Sequence, residues 1–176
     1  MILMGKEIYK LNHKYIYDVK LDINQDAINW YFTCNNNNIS HGVDFSKSVP
    51  EDVYNNISGK TESEAYEYII PFLKQKYVND KEEINKYTNQ VNETYEKNFN
   101  DACKKMVELT GKPLYRDDFT TIITTAPRAP YKYENGQTWL PVGWFDPIRI
   151  FMHELLHFQF IHYWKMNQNS PVSKLS

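Results

Sequence analysis

Near one end of the 176-residue chain stands Met152-His153-Glu154-Leu155-Leu156-His157-Phe158, an H-E-x-x-H pattern. On a helix, at about 100° per residue, His153 and His157 lie about 40° apart, one turn from each other on the same face. Two imidazoles so placed can share one Zn2+ at about 2.0–2.1 Å from each nitrogen. Glu154 is rotated one position round the wheel, beside such a metal but not on it. From there it can hold a metal-activated water, take its proton and return that proton to a leaving amine. The spacing matters because base and metal must reach one water. The metal residues are therefore His153 and His157, the catalytic residue is Glu154, and the cofactor is Zn2+. The plainer alternative is an amphipathic core helix whose two histidines are merely hydrogen-bonded.

The segment resembles the active-site helix of the zincin metallopeptidases, over about twenty residues. The strand-then-helix order before it is similar to their upper subdomain. The resemblance implies that the histidines bind zinc and that Glu154 is the general base. It also implies an edge strand, within Phe119–Thr125 or Tyr133–Leu140, that pairs with an extended peptide substrate.

Zincins need a third protein ligand, and here the chain departs from the pattern. The metzincin continuation wants Gly and His where this chain has Phe160 and Tyr163. His162 lies about 180° from His153 and about 140° from His157 on the wheel, so it faces away unless the helix breaks after Phe160. Gluzincins take a Glu from a following helix, but residues 158–176 hold no Asp, Glu or Cys. Peptide deformylases use an upstream Cys in a motif that neither Cys34 nor Cys103 has; both read as buried thiols. Three arrangements remain open. The favoured one is a C-terminally truncated, minimal gluzincin-like chain, with Ser176 a possible cap of the next helix. Otherwise an upstream acid or His41 closes the site, or the site is incomplete.

Several elements must position this motif. Asp146-Pro147 opens the last helix, Asp as cap and Pro at the first helical position, and it should run to about Met166. Asn135-Gly136 centres a two-residue hairpin in Tyr131–Trp139. Phe119–Thr125 is a Thr- and Ile-rich strand. The clearest helix begins after Asp80, its expected cap. Ile84, Tyr87, Val91, Tyr95, Phe99, Ala102, Met106 and Leu109 make one apolar stripe, ended by Gly111 and Pro113. Thr61-Glu62-Ser63-Glu64 is a capping box for an earlier helix that Pro71 should kink or divide. Ile8–Leu21 reads as a strand or hairpin, Asp26–Phe32 as a short helix, and Gly42–Gly59 as irregular. These elements predict an α+β fold in one domain spanning 1–176. By the resemblance it is zincin-like: a small, mostly antiparallel sheet packed with a long helix and a C-terminal active-site helix.

Other residues invite plainer readings. His13 and His41 are surface or loop histidines, and Asp146 is a cap. Arg149 either orients a carboxylate near the metal or makes an exposed ion pair. Tyr163 and Trp164 either shape a pocket or pack, and Trp139, Trp144 and Phe145 read as core more than cleft.

Composition narrows the partners. Lys+Arg number 20 against 22 Asp+Glu, a net charge of −2, which argues against a nucleic-acid binder. No run approaches the roughly 18 apolar residues of a membrane span, and the opening lacks a signal-peptide core. Two cysteines make no disulfide framework, so a cytoplasmic location is the expectation. The leading expectation is a zinc metallopeptidase acting on a peptide or protein substrate. The alternative is a binding or structural module that keeps the helix without an operative metal.

Overall fold

The computed structural model describes residues 13–35 and 44–165. Strand β1 (Ile16–Leu21) leads into helix α1 (Ile23–Asn35), a 3-10 turn (Phe45–Ser48) and helix α2 (Glu51–Ile57). Helices α3 (Glu62–Asn79) and α4 (Lys81–Thr110) follow. Strands β2 (Asp118–Thr124), β3 (Tyr131–Lys132) and β4 (Gln137–Pro141) come next, and helix α5 (Pro147–Phe160) ends in a π-turn, Ile161–Lys165. The architecture is α+β.

The four strands lie in the order β1-β2-β4-β3. Both β1–β2 and β2–β4 are parallel, and only the short β3–β4 pair is antiparallel. The sheet is therefore mixed, not mostly antiparallel as expected. The reason is burial of β2 on both faces, which suits a parallel strand flanked by helices. Phe119, Thr121 and Ile123 face one layer, where Tyr95 meets the Thr121 hydroxyl at 3.1 Å. Thr124 faces the other, against Asp26 and Asn29 of α1.

Two apolar clusters result. One joins α4 (Tyr87, Val91, Tyr95, Phe99) to β2 and to Phe151, Leu155 and Phe158 of α5. The other joins Trp30 of α1 to Ile57 of α2 and to Ile69 and Leu73 of α3. The α4 stripe is buried as the periodicity predicts, apart from Leu109, which is 67% exposed on the last turn. Asp80 makes no side-chain cap; its carboxylate takes the Lys76 ammonium at 2.7 Å instead. The Thr61–Glu64 capping box is complete. Pro71 sits inside an unbroken α3 on its exposed face, where water can serve the carbonyl left without a partner. The segment expected to be irregular contains α2, seated by buried Val53 and Ile57. The hairpin loop is the four residues Tyr133–Gly136, not two, with Gly136 left-handed at φ 64°. No helix among the described residues is long and apolar enough to cross a membrane.

Gly111 ends α4 at φ 64°, a conformation that strains any residue with a Cβ. Gly111→Ala should destabilise the fold by about 1 kcal/mol, read as a melting temperature lower by a few degrees. No loss would show that this helix end does not hold its conformation in solution.

Candidate metal centre

Helix α5 is held at its start and along one side. Asp146 precedes it in the left-handed region (φ 63°) and accepts the Arg149 N–H at 3.2 Å. Pro147 takes the first helical position, where its missing N–H costs nothing. Phe151, Leu155 and Phe158 recur at i, i+4 and i+7 and are fully buried. They pack on Tyr95, Phe99 and Phe119. That anchoring aims the neighbouring side of the helix at a cavity of about 910 Å3, bordered by His153, Glu154 and His157.

The Nε2 atoms of His153 and His157 lie 3.1 Å apart. Without metal one Nε2–H donates to the other Nε2; with both rings in the Nδ1–H tautomer, both Nε2 lone pairs would be available to one ion. At a distance of about 2.05 Å from each nitrogen, this spacing subtends about 98°, near the tetrahedral angle that zinc prefers. The Tyr131 ring stacks on His157, centroids 5.3 Å apart and planes within 16°, and so fixes the imidazole plane. Two of the three predicted site residues thus form a bite of the right size.

Glu154 is the third. Only 6% of it is exposed, and its carboxyl has no hydrogen bond or ion pair among the described residues. Burial alone pushes its pKa up from 4.5 to about 7. A buried carboxyl with no internal donor costs stability, and at a cavity wall it is a candidate for a role in chemistry.

Family models, curated proteins and solved structures give no match to this chain.

The donor set fits zinc in part: two imidazoles and an adjacent carboxyl. Among the described residues no group of three or more His, Cys, Asp and Glu side chains is placed to hold a metal. His41 lies outside the described residues. His162 sits on the π-turn, its Nδ1 paired at 2.7 Å with the Tyr133 hydroxyl. The final helix thus changes from α to π after Phe160 rather than running regularly to Met166. His13 pairs with Asp117 at 2.7 Å. Cys34 and Cys103 are free buried thiols, and burial raises the Cys34 pKa to about 11.

The edge-strand expectation needs correction for both segments: the strand within Tyr133–Leu140 is β4, which lies between β2 and β3. Strand β2 is interior, paired on both sides, because its threonines and isoleucines are covered by helices above and below. It offers no free edge to a peptide. The sheet margin that reaches the cavity is instead the stretch from Arg128 to Tyr131, whose Pro130 carbonyl accepts the Trp139 N–H at 2.9 Å.

Trp139 packs inside, with its indole N–H on the Gln25 carbonyl. Trp144 and Phe145, expected in the core, border the cavity, and Phe145 is 88% exposed. Tyr163 bonds the Pro113 carbonyl, and Trp164 stacks on Phe160. Arg149 is exposed on the cavity wall without an ion pair among the described residues, so neither reading made from sequence describes it. Arg128 and Tyr131 were not legible as site residues. The only sequence signal was their position, between Pro127 and the hairpin, on a stretch bound to lie along a sheet margin.

Proposed function

We propose that this chain is a zinc-dependent metallopeptidase with a zincin-like site. The carrying observation is the approach of two Nε2 atoms to 3.1 Å beside a buried carboxyl that no donor among the described residues satisfies. His153 and His157 would hold the ion. Zinc, when bound, supplies the Lewis acidity that brings a water's pKa towards about 7. Glu154, itself near 7 through burial, accepts a proton from the attacking water and delivers it to the departing amine. Tyr131 keeps His157 in plane, and Trp144 and Phe145 offer apolar surface to substrate side chains. An extended peptide would lie along Arg128–Tyr131.

Equilibrium dialysis against zinc tests the first half of this reading. One zinc per chain, removed by a chelator and lost in both His153→Ala and His157→Ala, is the expected result, with a rise in melting temperature on loading. Binding that survives either substitution would place the metal elsewhere. A second reading, a non-catalytic module, is favoured by the lack of a third ligand among the described residues. It requires that stoichiometric zinc and peptide cleavage both be absent.

A further inference from the structure

Two arginines, Arg128 and Arg149, stand on the cavity wall. Arg128 is half-buried beside the His153–Glu154–His157 face, and its guanidinium makes no hydrogen bond or ion pair among the described residues. Glu154 and Asp146 border the same cavity, yet neither carboxylate lies within 4.0 Å of it. Elsewhere in the chain the contrast is plain, since Arg116 is bound by Asp118 at 2.6 Å. Burial lowers the pKa of Arg128, and no charge interaction offsets it. A guanidinium carries five N–H donors in a planar fork, and those withdrawn from water without a partner are costly.

The backbone under Arg128 is firmly placed. Its carbonyl accepts the Asn29 amide at 2.8 Å, and Asn29 also donates to Thr124 at 3.0 Å inside the buried network of α1 and β2. Three residues on, Tyr131 stacks on His157. Three residues span at most about 10 Å, so the backbone of Arg128 lies within a few residue lengths of the ring that stacks on His157, and both line one cavity. Exposed Arg149 adds a second positive group to the cavity lining.

We infer that Arg128 binds a carboxylate of the substrate, making the cavity a site for peptides that carry an anion within about three residues of the bond at the metal centre. This rests on the peptidase reading for the substrate's being a peptide, but the anion site itself can be tested without turnover. The planar fork matches a carboxylate with two parallel N–H donations. Two sources are open, a chain-terminal carboxylate or an Asp or Glu side chain.

The test measures fluorescence anisotropy with the zinc-loaded, full-length Glu154→Gln chain and labelled N-acetyl tetrapeptides. One peptide ends in a free carboxylate, one in an amide, and two amidated ones carry an internal Glu or Gln. A carboxylate peptide should bind about tenfold or more tightly than its neutral counterpart. That gain should vanish in a chain that also carries Arg128→Gln and survive in part with Arg128→Lys. A gain confined to the free terminus assigns a chain-end carboxylate, and a gain with internal Glu assigns a side chain; both support the site. Equal affinities for charged and neutral peptides, or a gain untouched by Arg128→Gln, would overturn it. If the Arg128-dependent gain is present but the wild-type chain cleaves none of these peptides, hydrolysis fails and the anion site stands. Cleavage without any Arg128 dependence of binding removes the anion site alone.

Discussion

Glu154→Gln is expected to retain one zinc per chain and to lose peptide hydrolysis by about a thousandfold, the usual worth of a positioned general base. The amide keeps the shape of the side chain but cannot accept a proton from water. The same substitution should stabilise the metal-free protein in a pH-dependent manner. Burial raises the folded-state pKa from 4.5 to about 7, so the folded chain holds this proton more tightly than the unfolded chain. Its contribution is fully present below about pH 4.5 and is lost as pH rises through 7. The Gln variant, with nothing to ionise, should therefore gain on the wild type between these limits, by at most about 3 kcal/mol at pH 8. Urea unfolding at pH 4.5 and pH 8, with chelator present, measures the difference. An equal gain at both pH values would mean that Glu154 is not the desolvated acid the fold makes it. Retained hydrolysis would remove it as the base.

The second large effect lies away from the metal centre. Asp26 of α1 is fully buried, and its carboxylate accepts hydrogen bonds from the Thr124 hydroxyl and the Thr125 N–H and hydroxyl. The Tyr77 hydroxyl of α3 donates to it as well, at 3.2 Å. One side chain thus ties α1 and α3 to the end of β2, just before the chain turns into the cavity wall. Asp26→Ala would strand a backbone N–H and three hydroxyls, at a cost of about 3–5 kcal/mol. Denaturant unfolding at neutral pH should show it, together with weaker zinc binding if the wall that carries Tyr131 loosens. A loss under about 1 kcal/mol would show that water replaces the carboxylate and that the network is not closed. Burial raises the pKa of Asp26 and outweighs the lowering by these four donors. Its charged form is accordingly less favourable in the fold than in the unfolded chain, and wild-type stability should decline as pH rises above the usual aspartate range.

These two acids were unequally visible in the sequence. Glu154 announced itself through the histidines on either side, because a one-turn spacing is a local property of any helix. Asp26 gave no such signal. Its partners are about 50 and about 100 residues away, and a short helix over Asp26–Phe32 carries no local sign of them. In the structure that helix extends over Ile23–Asn35 and buries Asp26, Asn29 and Thr33 along with Trp30. Arg128 was equally silent, since whether an arginine meets a carboxylate depends on what the fold brings to it.

Local periodicity and capping chemistry sufficed for much of the rest. The α4 stripe, the Thr61–Glu64 box, the Asp146-Pro147 start and the pairing of His153 with His157 all rest on contacts within a few residues. Such contacts are encoded by spacing alone. Strand direction is not. The Asn135-Gly136 turn pointed to antiparallel pairing and does produce β3–β4, but the dominant pairs of the sheet join residues about 100 apart in β1 and β2. Parallel pairing over that distance follows from which faces the helices cover, which no local pattern records. By itself the sequence determined the longer helices, the caps at Thr61, Gly111 and Asp146, and the type and spacing of the candidate-site residues. Only the tertiary structure decided that Glu154 is desolvated, that Tyr131 stacks on His157 and that Arg128 lines the same cavity without an ion pair among the described residues, because burial and company are properties of the packed whole.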